Sequence, residues 1–201
     1  MKSIGIMGGT FDPIHNGHIA MAQKVKENYR LDEVVFVPSG NPPHKKERKI
    51  TAAEHRLAMV KLAIDGIDGF SVSTMEIDRK GYSYALDTVN EFYRIYGDDI
   101  DLYFITGADA IAEIATWYRA DELMKKCSFI AATRPGYHID EAYRAVAEKF
   151  EDRLFLFRET AHEESSSDIR QRIERGKDIS AMLPDAVARY INEHQLYQRE
   201  L

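Results

Sequence analysis

Short runs of apolar and β-branched residues alternate along the chain with longer stretches in which apolar side chains recur at helical period. That alternation predicts a parallel sheet flanked by helices. The strand candidates are 3–7 (SIGIM), 34–38 (VVFVP), 70–75 (FSVSTM), 101–106 (DLYFIT), 128–133 (SFIAAT) and 154–157 (LFLF). Helical patterns fill the intervals at about 17–28, 51–65, 83–96, 109–126 and 140–150. Six strands joined by five crossovers predict an α/β fold, a doubly wound, mostly parallel, Rossmann-like sheet. After the last strand the pattern changes to two successive helices, 165–176 and 184–197, expected to pack at one edge of the sheet. No repeat, low-complexity tract or linker divides the chain, so one domain is expected over 1–201.

Composition narrows the class. A chain of 201 residues, 44% hydrophobic and 30% charged, fits an ordinary globular protein that buries roughly 70% of its unfolded surface. Cys127 stands alone, which excludes an internal disulfide and a cysteine-rich metal cluster and favours a reducing cytoplasm. The opening MKSIGIMGGTF carries too short an apolar run for a signal peptide, and no segment has the apolar length to cross a bilayer, so no membrane association is expected. A net charge of −6 argues against a protein that coats nucleic acid. The basic run HKKERK (44–49) is the local exception, readable as a solvated surface or as help in holding phosphates. The oligomeric state stays open, a homo-oligomer included.

In open parallel sheets ligands bind beyond the carboxyl ends of the strands. The stretch GGTFDPIHNGH (8–18) lies there, between the first strand and a helix beginning near Asn16. Gly8 and Gly9 let the backbone approach a ligand, and a helix start presents N–H groups with a partial positive charge, so the stretch is a candidate anion site. Neither G-x-G-x-x-G nor the P-loop G-x-x-x-x-G-K-[ST] is present, which argues against dinucleotide redox and ordinary phosphate-loop chemistry. His15 and His18, three apart in a first helical turn, can face one ligand. They read as a metal-binding pair, as N–H donors to phosphate oxygens, or as polar residues capping the helix. Near the other end, SSSDIR (165–170) is a good helix start through Ser165 and Asp168. Its alternative is a second phosphate clamp made by Ser166, Ser167, first-turn N–H groups and the Arg170 fork.

The composite Thr10, Phe11, Asp12, Pro13, Ile14, His15, Asn16, Gly17, His18 resembles the signature of a nucleotidyltransferase superfamily with an H-x-G-H element after the first strand. Its members join a phosphate-bearing acceptor to the α-phosphate of a nucleoside triphosphate. SSSDIR is similar to the superfamily's I-S-S-T-x-I-R element, which holds the triphosphate, with Glu164 for Ile and Ser167 for Thr. Three further segments fall at the ligand-binding edge: PSGNPPHKK (38–46), DRKGYSYALDT (78–88) and TGADAIAEIATWY (106–118). In the first, Pro42 and Pro43 fix the loop while His44 and Lys45 extend toward a phosphate.

Together these segments resemble bacterial nicotinate-nucleotide adenylyltransferase along the whole chain. The resemblance implies transfer from ATP, carried with Mg²⁺, to nicotinate mononucleotide. It implies that Trp117 stacks on the nicotinate ring and that backbone N–H groups near Ala85 and Tyr118 meet the ring carboxylate. Asp87 and Thr88 of the GYSYALDT stretch belong to that same half. Many family members have Thr where Ala85 stands. Gly107 and Asp109 look like the nucleotide-contacting pair, with Arg134 a further contact after the fifth strand. From the residues alone Trp117 also reads as a core or helix-end aromatic, and Asp109 as a helix cap. His55, His138, His162 and His194 read as surface residues. Two rivals remain: a phosphopantetheine adenylyltransferase or cytidylyltransferase of the same superfamily, and a catalytically silent nucleotide-binding module.

Overall fold

The computed structural model of the chain describes residues 1–42, 50–133, 141–158 and 164–199. His44 and Lys45 lie outside those residues, as do Arg134, His138 and His162. In chain order the elements are β1 (Lys2–Gly9), α1 (Asn16–Asn28), β2 (Glu33–Pro38), α2 (Ala53–Ile64), β3 (Phe70–Val72), α3 (Met75–Asp78), α4 (Ala85–Tyr96) and β4 (Ile100–Gly107). There follow α5 (Ala108–Ala112), α6 (Ala120–Lys126), β5 (Ser128–Thr133), α7 (Glu141–Lys149), β6 (Leu154–Arg158), α8 (Ser166–Glu174) and α9 (Asp185–Glu193).

The six strands form one sheet in the order β3-β2-β1-β4-β5-β6, every neighbouring pair parallel. The chain winds outward from β1 to β3 and restarts at β4 on the other side of β1. The order therefore reverses between β1 and β4, and a crevice opens at their carboxyl ends. Alternation along each strand assigns two cores. Ile4 and Ile6, Val35 and Val37, and Leu102 and Phe104 face α4, α5, α6 and α7. Met7, Phe36, Ile105 and Ile130 face α1, α2, α8 and α9.

Three expectations change. The run 70–75 is strand only to Val72, because the Ser73 hydroxyl accepts from Met75 N–H (3.3 Å) and Thr74 Oγ1 donates to Asp78 (2.6 Å). Such local bonds compete with a sheet ladder and begin α3 instead. The helix expected over 109–126 is broken. After α5 a 3₁₀ turn (Ile114–Thr116) intervenes, Trp117 is extended, and Arg119 is left-handed at φ 51°. The Thr116 hydroxyl donates to the Glu113 carbonyl at 2.8 Å, helping to close that turn. Lastly, α8 and α9 cover a sheet face rather than an edge: Ile169, Val187 and Ile191 join the α1–α2 core.

Candidate functional site

The chain leaves β1 at Gly9 and turns sharply. Phe11 is left-handed at φ 50° and almost fully buried. Its ring packs where a Gly9 side chain would stand, an added Cβ lying 2.9 Å from Phe11 Cζ, and it meets the His18 ring edge-on at 5.2 Å. Phe11, a candidate phosphate contact of the H-x-G-H stretch, seats His18 and also lines the cavity beside it. Gly8 is matched in the same way by Phe104, 2.9 Å from its hypothetical Cβ. A backbone held in a sparsely populated region costs about 1–3 kcal/mol and persists only where packing fixes it.

His15 caps α1 in extended conformation and is 5% exposed; the two imidazole centroids lie 3.7 Å apart. The His15 backbone N–H donates to His18 Nδ1 at 3.2 Å. An amide can only donate, so His18 Nδ1 is the acceptor and the ring proton resides on Nε2. The helix start itself offers less than its sequence suggests. Asn16 N–H donates to the Met182 carbonyl (3.0 Å) and His18 N–H to the His15 carbonyl (2.9 Å). The side chains therefore carry more of any anion binding here.

α8 docks directly onto this turn. Ser165 caps it by accepting from Asp168 N–H at 3.1 Å, Ser166 Oγ donates to the Pro13 carbonyl at 2.9 Å, and Arg170 Nη1 donates to the Asp12 carbonyl. Arg170 Nη2 donates to Ser167 Oγ at 2.9 Å. Ser165 caps the helix, and it lines a cavity of about 460 Å³ together with Ser166, Ser167, Arg170, Thr10, His15 and His18. Two motifs some 150 residues apart thus share one wall.

Beneath this wall lies a network absent from the sequence reading. Arg56 is 2% exposed; its Nη1 donates to the Thr10 carbonyl and its Nε to the Thr51 carbonyl, each at 2.8 Å. Burial pulls its basicity down, while the nearby Asp12 carboxylate opposes that. Tyr197 donates to Asp12 Oδ1 at 2.8 Å, and burial with Asp12 pushes its hydroxyl well above the ordinary value, so it stays a donor. A signal existed for Arg56. It falls on the apolar stripe of α2 with buried Met59, Val60 and Ala63, where a charged residue needs partners.

A second cavity of about 170 Å³ joins the first through His15 and His18 and is lined by Gly107, Asp109, Thr133 and Glu164. Gly107 ends β4 and caps α5, and no side chain hydrogen-bonds as that cap, so Asp109 does not serve as one. A third, of about 290 Å³, reaches from Gly8, Gly9 and Thr10 to Ala85, Trp117 and Tyr118. Trp117 bears out its reading as a core aromatic, packing edge-on against Phe104 and Phe129, and also reaches this cavity. Tyr118 stacks on Tyr84 at 4.6 Å. Asp87 and Thr88 do not line this cavity: Asp87 is half-buried in the first turn of α4, and Thr88 is fully buried with its hydroxyl donated to Glu76 at 2.6 Å. Those two help frame the pocket. Glu76 and Ser83, unnoticed in the sequence, do line it.

Among the described residues no group of three His, Cys, Asp or Glu side chains gathers to hold a metal ion, so the His15–His18 pair gains no third ligand there. Burial pushes the Cys127 thiol up to about 12, far from nucleophilic range. His55 is half-buried rather than on the surface, its Nδ1 2.9 Å from the Tyr190 hydroxyl between α2 and α9, while His194 is exposed. Among the described residues no helix is long and apolar enough to cross a membrane.

Comparison with known proteins is consistent over the whole chain. Residues 6–172 match the cytidylyltransferase-like family model. A protein of Thermoanaerobacter sp. (strain X514), named as a probable nicotinate-nucleotide adenylyltransferase, is 49% identical over 98% of this chain and 95% of its own. One of Moorella thermoacetica with the same name is 48% identical over 98% and 93%. Among solved structures, the Plasmodium falciparum nicotinic acid mononucleotide adenylyltransferase complexed with NaAD superposes with a TM-score of 0.83 over 98% of each chain. Its 22% identity speaks to the fold alone.

Proposed function

The chain belongs to the cytidylyltransferase-like family and, through its full-length relatives, to the nicotinate-nucleotide adenylyltransferases, and from that premise we propose its chemistry. It transfers the adenylyl group of ATP to nicotinate mononucleotide, giving nicotinic acid adenine dinucleotide and pyrophosphate. The observation that carries the assignment of residues is the meeting of the two distant motifs, His15 and His18 with Ser166, Ser167 and Arg170, around one cavity that adjoins the Trp117 pocket.

A 5′-phosphate oxygen of the mononucleotide attacks the α-phosphorus of ATP in line. The new P–O bond forms as the bond to the bridging oxygen breaks, and that electron pair leaves with pyrophosphate. The attacking phosphate is largely ionised at neutral pH, so no strong base is required. Orientation supplies roughly 7–11 kcal/mol of the barrier lowering, and fixed donors supply more. We assign His18 Nε2–H and His15 to the α-phosphate and Arg170, Ser166 and Ser167 to the departing pyrophosphate. Arg170 has five N–H donors and keeps several for ligand beyond its bonds to Asp12 and Ser167. Gly8, Gly9 and Thr10 flank the triphosphate, and Gly107 and Asp109 face the ribose. The 290 Å³ pocket takes the nicotinate ring against Trp117, its carboxylate toward the backbone near Ala85 and Tyr118. Lys45, His44 and Arg134 we assign to phosphate and mononucleotide contacts. We take the divalent cation that accompanies ATP as Mg²⁺; among the described residues no group of three acidic, imidazole or thiol side chains would hold it, so phosphate oxygens and water would supply its ligands. Lone Cys127 supports a cytoplasmic setting.

The test is pyrophosphate release by the purified chain with ATP and Mg²⁺ and, in turn, nicotinate mononucleotide, nicotinamide mononucleotide and phosphopantetheine. Fastest release with nicotinate mononucleotide is the expected result. Release with phosphopantetheine alone would overturn the acceptor, and none with any acceptor would favour a binding module.

A further inference from the structure

Glu76 is 6% exposed, yet it borders the 290 Å³ pocket and has no salt-bridge partner among the described residues. Its hydrogen bonds come from hydroxyls, and the Arg79 guanidinium, which donates to Thr88 Oγ1 at 3.4 Å, adds a weaker charge attraction. Thr88 Oγ1 donates to Oε1 at 2.6 Å, and Ser83 is its second hydrogen-bond partner. The direction of the second bond follows from counting. Ser83 Oγ already accepts two backbone N–H groups, Gly40 at 3.0 Å and Asn41 at 3.2 Å. A hydroxyl has two lone pairs and one proton, so the Ser83 proton points to Glu76.

One carboxyl therefore ties three segments: the turn after β2 (Gly40 and Asn41), the run before α4 (Ser83), and α4 itself (Thr88). The seam is tight as well as bonded. The Ser83 N–H donates to the Asn41 carbonyl at 3.0 Å, and a Cβ on Gly40 would stand 2.1 Å from the Glu76 carbonyl oxygen. Pro42 on one side, and Tyr84 and Ala85 on the other, are both walls of the pocket.

We propose that Glu76 is a positioning residue for the acceptor half of the site, its carboxyl fixing the distance between the 39–42 turn and the start of α4 and so the width of the pyridine pocket. This rests on the acceptor reading given above. Burial raises the Glu76 carboxyl above its ordinary range, outweighing the Thr88 and Ser83 hydroxyls and the Arg79 charge that act the other way, with the Asp87 carboxylate adding to the rise. The residues assigned to the phosphates, His15, His18, Ser166, Ser167 and Arg170, line a different cavity, so ATP binding should feel little of the change.

Trp117 is the chain's single tryptophan and lines this pocket, so its fluorescence reports acceptor binding without turnover. Nicotinate mononucleotide and ATP are titrated separately against wild type, Glu76→Ala, Glu76→Gln and Thr88→Val, alongside KM and kcat for both substrates. Glu76→Ala is expected to raise the mononucleotide Kd and KM about tenfold, the scale of orphaned buried hydroxyls, with ATP KM within about twofold. Glu76→Gln should restore much of the binding, its Oε1 accepting from Ser83 and its Nε2 donating to Thr88 Oγ1, whose proton can turn to the Tyr84 carbonyl 3.4 Å away. Thr88→Val keeps the shape, removes the bond to Glu76 together with the longer one from Arg79 (3.4 Å), touches no ligand, and is expected to raise the mononucleotide KM about threefold even where Glu76→Ala does not fold. Mononucleotide binding unchanged in a folded Glu76→Ala or in Thr88→Val, or an equal loss for both substrates, overturns the proposal. A wild type whose fluorescence answers no pyridine mononucleotide overturns the acceptor reading instead, and this inference with it.

Discussion

The two halves of the crevice are built by different means. On the phosphate side the polar groups face the cavity and come from two short continuous stretches, 10–18 and 165–170, with a buried cation, Arg56, behind them. On the acceptor side the walls are aromatic and aliphatic, drawn from several dispersed segments, and the buried group behind them is a carboxyl held by hydroxyls, Glu76. Under the proposed assignment the difference follows the charge of what each half receives. A triphosphate needs donors and positive charge at fixed places, whereas a pyridine ring needs a flat slot of set width.

Four measurements can break or sharpen that contrast. The largest effect is expected from Arg56→Met, which strands the partly buried Thr10 and Thr51 carbonyls and removes a positive charge near Asp12. Each orphaned acceptor costs about 1–3 kcal/mol, readable by chemical denaturation. Wild-type stability in this variant would mean that the phosphate turn stands without its support. His18→Ala should lower kcat by on the order of 10²–10³, the scale of one lost transition-state donor, with the fold intact. An unchanged kcat would remove His18 from the chemistry. For Trp117→Ala we expect the mononucleotide KM to rise about tenfold with ATP KM nearly kept, and an equal rise in both would assign Trp117 to the core alone.

The smallest effect is electrostatic. Burial raises the Glu76 carboxyl above its ordinary value of 4.5, so the folded chain holds that proton more tightly than the unfolded chain does. The resulting stability is fully present below about 4.5 and is lost as pH rises through the raised value. Glu76→Gln has no proton to lose. Its stability relative to wild type should therefore climb across that window, and denaturation curves running parallel at every pH would refute the assignment.

Much of this was legible. All six strands announce themselves as apolar runs, because a parallel sheet buried on both faces demands them. The phosphate half was legible for a related reason: its groups must sit on one turn and one helix start, which keeps them contiguous in sequence. The breaks were hidden. Nothing in AIAEIATWYRADE stops a helix by composition; it is interrupted where Trp117 packs against Phe104 and Phe129, a tertiary demand that no local propensity records. The bond between Glu76 and Thr88 was equally hidden: Thr88 stood out only through its stretch, and a carboxyl twelve residues before it looks like any polar surface group. Arg56 alone left a trace, a charge on an apolar stripe.

The bond from Tyr197 to Asp12 spans 185 positions, and the one from Ser166 to Pro13 spans 153. The cradle around the histidines is therefore closed by residues that arrive from far along the chain. Contacts of such long sequence separation slow folding. For the same reason, loss of Tyr197, remote from the histidines in sequence, would reach the Asp12 turn beside them.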